Sequence, residues 1–384
     1  MLKRLVKYFY SKFPSSKILL FESSQPFSCN TYPVYESLRN DLRFKNYKLV
    51  WVLFDKQERE YEKIGTEQGI SCICLSSKNP LRWLRSKYYL YSCRGLISCN
   101  MVLQKIHPHQ FAIFLGHGSK IKKTKGKYSV GNGVDYALCQ ADFFRKIMAY
   151  EYSVDESRLI NLGYPRNDYL YQTKNVISIL FPGKRYKKVV VWLPTWRQHK
   201  TGPDKESQSQ TGIPVIVDEE QMRMLNHFLT ERDIFVILKP HPSQNLSYIN
   251  ISSMSNLALM DNTMLSKAGI QLYQILAQSD ALITDYSSVL YDYLLTDRPI
   301  GLTFDDYDSY EQSQGFAVDI DQIHKVGVHI HTSEQLYSFL EDVVQGIDSL
   351  QAQRAEIRDL TNRYQDQEST HRVTDFIWNQ LEKK

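Results

Sequence analysis

Two rhythms of apolar and polar positions take turns along this 384-residue chain. Short apolar or β-branched runs, the length of buried strands, give way to stretches with apolar residues three and four apart, the period of one helix face. Strand-like runs fall at 17–22, 47–53, 70–75, 89–99, 111–116, 136–139 and 159–162, then at 188–193, 234–239, 257–260, 281–284, 300–303 and 326–330. Helix-like stretches at 33–41, 79–87, 141–150, 218–231, 269–279, 288–296 and 333–344 lie between or just after them. The tail from 348 onward reads as polar helix, ending in the apolar-periodic Val373, Phe376, Ile377 and Leu381. This alternation predicts α/β domains with largely parallel sheets, because parallel neighbours need a crossover that a helix supplies.

The rhythm lapses at 171–187, which holds Pro182, Gly183 and the basic cluster Lys184-Arg185-Tyr186-Lys187-Lys188. A chain this long exceeds one ordinary core. The lapse therefore divides it into an N-terminal α/β domain, 1–175, and a C-terminal one with trailing helices, 176–384. A second irregular stretch, 198–213, is rich in Ser, Gln, Gly and Thr and reads as a mobile loop.

Composition changes this picture little. Hydrophobic residues at 42% and charged residues at 23% are ordinary for a soluble globular protein. The 26 tyrosines suit stacking on rings and contact with polar polymers, and equally an aromatic interior. A net charge of +5 permits an acidic substrate or an anionic membrane surface. All six cysteines (Cys29, Cys72, Cys74, Cys93, Cys99, Cys139) precede residue 140, and none forms a C-x-x-C pair. Buried reduced thiols of a cytosolic protein are expected, and no zinc site. No run approaches the roughly 18–20 apolar residues that span a bilayer. Residues 1–13 mix leucines and aromatics with Lys3, Arg4, Lys7 and Lys12. That mixture fits a short interfacial helix on anionic lipid, and also an ordinary surface helix with a basic face.

The candidate chemistry sits where strands end. Ala281-Leu-Ile-Thr284 reads as a buried strand, Asp285 and Tyr286 break it, and Ser287 and Ser288 open a helix expected over Val289–Asp297. Hydroxyls and open N–H groups at a first helical turn form an anion site, although a serine there can also simply cap the helix. Phe111-Ala-Ile-Phe-Leu-Gly116-His117-Gly118-Ser119 places a histidine between two glycines, with a side chain suited to taking a proton from a hydroxyl. Lys120, Lys122, Lys123, Lys125 and Lys127 follow it as a loop suited to a polyanionic acceptor or phospholipid headgroups. Leu162-Gly-Tyr-Pro-Arg166-Asn-Asp168 offers a guanidinium for phosphate or for a carboxylate. Trp192-Leu-Pro-Thr195-Trp-Arg197 adds a hydroxyl and a guanidinium, and Lys239-Pro-His241-Pro242 a histidine stiffened by two prolines. Together these groups suit a nucleotide diphosphate, with no nest of carboxylates for a dedicated metal. G-x-G-x-x-G, Walker A, G-x-S-x-G, H-E-x-x-H and nucleic-acid-binding signatures are absent.

On these residues the chain resembles the CDP-glycerol glycerophosphotransferase family, which builds teichoic acids and related poly(glycerol or ribitol phosphate) capsules. Phe21-Glu22-Ser23 looks like the family's F-E-S, and His117-Gly118-Ser119-Lys120-Ile121-Lys122-Lys123 like its H-G-T-P-L-K-K. Gly163 to Asp168 matches G-Y-P-R-N-D, and Pro194-Thr195-Trp196-Arg197 matches P-T-W-R. His241-Pro242, Ile283 to Ser288, Asp292-Tyr293 and Arg298-Pro299 match as well, in order, from about residue 17 to the C-terminus. Gly116 stands where Trp is frequent, Ser119 replaces Thr, Lys120 replaces Pro, and Gln314 precedes Gly315-Phe316 where Arg is usual.

The resemblance implies a GT-B fold, two Rossmann-like domains facing across a cleft. It implies transfer of glycerol phosphate or ribitol phosphate from CDP-glycerol or CDP-ribitol to a hydroxyl of a cell-surface polymer or lipid-linked primer, with CMP released. His117 and His241 become the catalytic residues, His117 as the general base and His241 on the donor pyrophosphate. Ser287, Ser288, Arg197, Thr195, Arg166 and Asp285 become donor-binding residues, and Ser119, Lys120, Lys122 and Lys123 acceptor-binding ones. No tightly bound cofactor, metal or nucleic acid is implied. A cytoplasmic enzyme at the inner face of the membrane is expected. A CMP-sialic-acid or other nucleotide-sugar transferase of GT-B type shares the His-Pro and Ser-Ser features but not the G-Y-P-R-N-D and P-T-W-R matches. A degenerate polyanion-binding scaffold is the third reading, against which the chain retains both His117 and His241.

Overall fold

The computed structural model describes residues 15–54, 58–123, 130–195, 213–240 and 251–383. Their chain divides into two compact units. The first lies within Met1–Ser119, Gly126–Asp168 and Arg363–Lys384, and the second within Lys120–Lys125 and Tyr169–Asn362.

The first unit holds seven strands: β1 (Ser16–Glu22), β2 (Lys48–Leu53), β3 (Ser71–Cys74), β4 (Cys93–Ser98), β5 (Phe111–Phe114), β6 (Tyr136–Leu138) and β7 (Leu159–Ile160). All pair in parallel, in the order β3-β2-β1-β4-β5-β6-β7. The second unit repeats the plan with β8 (Lys188–Leu193), β9 (Ile234–Leu238), β10 (Leu257–Leu259), β11 (Ala281–Thr284), β12 (Ile300–Thr303) and β13 (Val328–Ile330), ordered β10-β9-β8-β11-β12-β13. These pair in parallel too. Each order reverses once, between β1 and β4 and between β8 and β11, the topology of a dinucleotide-binding sheet. Strands covered on both faces read as unbroken apolar runs, so Phe111–Phe114 and Ala281–Thr284 are buried at every position.

Expected elements and observed ones differ most at 89–99. Helix Pro80–Ser92 takes the first part of that run and β4 only the rest. Ser86 and Tyr89, one helical turn apart, are both buried, and the Ser92 hydroxyl donates back to the Tyr88 carbonyl at 2.6 Å. The helix expected over Val289–Asp297 is α-helical only at Val289–Tyr293 and tightens into a 3-10 turn at Leu294–Thr296. Helices Glu58–Glu67, Asn262–Ala268 and Tyr307–Ser313 were not foreseen.

The expected 1–175 and 176–384 division is redrawn at three places: the first unit's main span stops at Asp168, Lys120–Lys125 joins the second unit, and the tail returns to the first. Packing explains the tail. Helix Ser369–Lys383 buries Val373, Ile377 and Leu381 in the first unit's core, with Phe21, Tyr35, Trp51 and Ile97 in the same cluster. Phe376 meets Tyr136 edge-on at 5.0 Å, and Trp378 meets Phe44 at 5.2 Å. Asp168 accepts the Ser369 and Thr370 amides at 3.0 and 2.7 Å, so the last residue of the G-Y-P-R-N-D run holds the start of that helix. Gly163 in the same run has φ +78°, and a Cβ there would fall 2.2 Å from the Ser369 hydroxyl.

Many of the tyrosines are interior residues: Tyr35, Tyr152, Tyr164, Tyr286, Tyr291 and Tyr293 are among those buried. All six cysteines are free thiols. Among the described residues no helix is long and apolar enough to cross a membrane. The basic segment 1–13 and most of the 198–213 stretch lie outside the described residues.

Ile377→Ala should cost about 2–5 kcal/mol, the usual range for emptying a packed aliphatic site. Urea unfolding followed by the first unit's tryptophans measures it; a loss within error of the wild type would contradict the tail's place in this core.

Candidate functional site

In the first unit, chemistry gathers where β1, β4 and β5 end. After β5 the chain passes through Leu115 and turns at Gly116, with φ +62°, and Gly118, with φ +139°. A Cβ at Gly116 would lie 2.6 Å from the Tyr152 hydroxyl, which accounts for glycine at a position where the family often carries Trp. Side chains from elsewhere pin the turn's carbonyls. The Asn30 amide donates to Leu115 O at 3.2 Å and to Gly116 O at 2.8 Å. Arg166 Nη1 donates to His117 O at 2.7 Å, and the Arg166 amide donates to Asn30 Oδ1 at 3.2 Å. Arg166 is only 6% exposed, lies over the Tyr164 ring and reaches Cys29 Sγ at 3.6 Å. Its guanidinium thus reaches, inside the first unit, the loop that carries His117.

His117 itself is half-buried, with Nδ1 3.4 Å from Cys99 O. A carbonyl only accepts, so that contact puts a proton on Nδ1 and leaves the lone pair of the neutral ring on Nε2. Below it, Glu22 ends β1 fully buried, with Oε2 accepting the Cys99 and Asn100 amides at 3.3 and 3.1 Å. Burial raises its pKa to about 7, against the opposing pull of the Met101, Asn100 and Cys99 amides. The Cys99 thiol and the Arg166 charge hold the Cys29 thiol below its usual range, while burial pushes Cys99 well up. Ser119 is buried, and its hydroxyl donates to Gln140 Oε1 at 2.8 Å.

In the second unit, Asp285 is 2% exposed and accepts both the amide and the hydroxyl of Thr195, at 2.9 and 3.0 Å. It ties the end of β8 to the end of β11, at the point where the strand order reverses. Thr284 Oγ1 donates to Leu193 O at 2.9 Å and Thr303 Oγ1 to Thr284 O at 3.2 Å, closing the β8, β11 and β12 ends with hydroxyls. Tyr286 stacks on Tyr310 at 3.9 Å and on Phe304 at 5.3 Å, and its hydroxyl donates to Asp306 at 3.1 Å. With 285 and 286 so fixed, Ser287 and Ser288 follow half-buried. Ser288 is the N-cap of the short helix, yet its side chain makes no capping hydrogen bond.

Lys122 is the largest change from expectation. It is a half-buried residue of the second unit, bridged through its backbone to Phe316. Its ammonium lies 5.5 Å over the Tyr310 ring, and burial lowers its pKa against the pull of Asp285 and Asp306. The Lys123 amide donates to Gly315 O at 3.1 Å, and Gln314 Nε2 donates to Lys123 O, which employs the Gln that replaces the family's Arg. Lys120 is half-buried beside it. Lys239, after β9, is half-buried with a pKa lowered by burial. Arg197, His241, Lys125 and Lys127 lie outside the described residues.

Sequence reasoning gave no role to Asn30, Glu22 or Asp306. Asn30 precedes a helix and reads as its cap, but its side chain works across the sheet instead.

Two units of parallel sheet with this repeated strand order define the GT-B class. Within it, the chain belongs to the CDP-glycerol:poly(glycerophosphate) glycerophosphotransferase family, whose pattern it matches over residues 5–379. It is 27% identical over 257 residues to the teichoic acid ribitol-phosphate primase of Bacillus spizizenii, covering 65% of this chain and 60% of that one. It is 24% identical over 362 residues to the teichoic acid poly(glycerol phosphate) polymerase of Bacillus subtilis, covering 85% of this chain and 44% of that one. The chain thus spans less than two thirds of the length of either relative. The solved structure of the wall teichoic acid polymerase TagF shares the fold, with a TM-score of 0.75 at 19% identity, covering 99% of this chain and 94% of that one.

Glu22 makes stability pH-dependent in a defined direction. A carboxyl whose pKa rises from 4.5 unfolded to about 7 folded stabilises most below the lower value, and that contribution is lost as pH rises through the higher one. The loss is about 3 kcal/mol in all. Glu22→Gln should abolish this component, so its stability relative to wild type should rise between about pH 5 and about pH 8. Parallel unfolding curves at the two pH values would contradict the assignment.

Proposed function

We propose that this protein transfers glycerol phosphate or ribitol phosphate from a CDP-alditol to a hydroxyl of a teichoic-acid-type polymer or its lipid-linked primer, releasing CMP. Family membership places this reading ahead of a sialyltransferase. The observation that carries it is the switch point of the second unit. There, Thr195 and Asp285 brace the strand ends beneath two serines, and the Ser288 hydroxyl is not used as a helix cap. Two hydroxyls and the Lys122 ammonium suit a diphosphate. By the resemblance, His241 and Arg197 join them on the donor.

His117 is the base. The acceptor oxygen bonds to the β-phosphorus, the bond from that phosphorus to the oxygen bridging to the α-phosphate breaks, and the pair leaves with CMP. The acceptor proton passes to His117 Nε2. Charge spreads over phosphate oxygens in that step, so fixed donors and a fixed base do more than covalent chemistry could. Asp285, Arg166 and Ser119, expected to touch ligand, act in this reading by holding Thr195, the His117 loop and Gln140. Lys122 and Lys120 move from the acceptor to the donor side. The net charge of +5 suits work at the inner face of an anionic membrane.

His117→Ala should lower CMP release from CDP-glycerol or CDP-ribitol with acceptor by at least ~100-fold. Calorimetric binding of CDP should survive that change. Replacing Ser287 and Ser288 by Ala should instead weaken CDP binding by roughly 10-fold or more. Absence of CMP from both donors with every phosphodiester acceptor would refute the proposal, and equal loss of binding and turnover in His117→Ala would refute the base role.

A further inference from the structure

The peptide group joining Cys99 to Asn100 has both of its polar ends engaged. Its N–H, on Asn100, points to Glu22 Oε2 at 3.1 Å, and its C=O, on Cys99, faces His117 Nδ1 at 3.4 Å. A trans peptide is planar with N–H and C=O opposed, so a carboxylate at one end and an imidazole at the other lie on one line of polarisation. The Cys99 amide also donates to Glu22, at 3.3 Å to Oε2 and 3.2 Å to the main-chain oxygen. The turn after β4 is thus clamped to the end of β1 twice over.

We propose that Glu22 is the positioning residue of His117, acting through the Cys99–Asn100 peptide group as the buried carboxylate of a catalytic triad acts directly on its histidine. The carboxylate draws on the Asn100 N–H, which makes the Cys99 carbonyl a stronger acceptor. That carbonyl fixes the Nδ1–H tautomer, stabilises the imidazolium formed when Nε2 takes the acceptor's proton, and so raises the basicity of Nε2. The proposal rests on the base role of His117.

One further observation sets the pH range of this effect, and another agrees with it. Burial raises the Glu22 pKa to about 7, and the orienting role belongs to the charged form, so the effect grows as pH rises through that value. Its Oε1 is buried and has no hydrogen-bond partner among the described residues, so the second lone-pair side is not spent on packing the fold. The groups that face the carboxylate are the Cys29 and Cys99 thiols, and Arg166 lies beyond Cys29. None of these is a cation paired directly with Glu22, so the peptide is the route by which its charge is felt.

The test is Glu22→Gln in the full chain, read in three ways. Turnover with CDP-glycerol or CDP-ribitol and acceptor should fall roughly 10- to 100-fold in kcat, with KM for the donor within about two-fold. Thermal unfolding near pH 8 should be shifted upward, so that activity and stability move in opposite directions. Nitrogen NMR of His117 should show the proton on Nδ1 in the unaltered protein and a lower imidazole pKa in the variant. Wild-type kcat in Glu22→Gln, loss of activity in step with loss of stability, or an Nε2–H tautomer in the unaltered protein would each overturn the proposal. The NMR readouts need no turnover. If His117→Ala stayed active while Glu22→Gln still lowered the imidazole pKa, the base role would have failed and the relay would stand.

Discussion

Parallel strands end in a fringe of main-chain groups with no further neighbour to bond, and in a sheet covered on both faces that fringe is buried. A buried polar group left unbonded costs more than a bonded one returns, so side chains must come to it. In this protein they come from far along the chain: Asn30 to Leu115 and Gly116, Arg166 to His117, and Thr284 to Leu193. Arg298 likewise donates to Ala277 and Ser279, at 2.8 and 2.5 Å. The positions of the candidate site residues follow from these contacts. His117 sits on a turn whose three successive carbonyls are held, and Ser287 and Ser288 follow a dipeptide held by Thr195 on one side and by stacked rings on the other.

The motifs that the family shares therefore divide by what their residues touch. In G-Y-P-R-N-D, Gly163 admits the C-terminal helix, Asp168 holds its first turn, and Arg166 locks the His117 turn. Asp292, in the matched Asp292-Tyr293, accepts the Tyr273 hydroxyl at 2.5 Å in the interior. Among the described motif positions, His117, Lys120, Lys122, Ser287 and Ser288 are half-buried and Lys123 is exposed. A motif in this protein is mostly the frame of a site and only partly the site.

That division marks what could be read from the sequence. Strands β8, β11 and β12 were legible to the residue because apolar runs bounded by charge or proline have no other use. His117 stood out as a candidate base because the two glycines around it put an imidazole on a tight turn at a strand end. The run 89–99 was not, because Tyr-Leu-Tyr-Ser suits a helix end as well as a strand. Nor was the return of Ser369–Lys383 to the first unit, since an apolar stripe says that a helix packs but not on which core. The roles of Asn30, Glu22 and Lys122 depend on contacts 77 to 194 residues away, as with Glu22 and Cys99 or Lys122 and Phe316, and no local pattern carries such information.

In the proposed transfer the β-phosphorus of the donor ends in a new phosphodiester while the nucleotide leaves as CMP. Phosphorus NMR of the purified protein with CDP-glycerol or CDP-ribitol and a teichoic-acid-type acceptor tests it directly. CMP and a new phosphodiester signal should grow in equal amounts. Release of CDP, or of CMP with free alditol phosphate and no new diester, would contradict it.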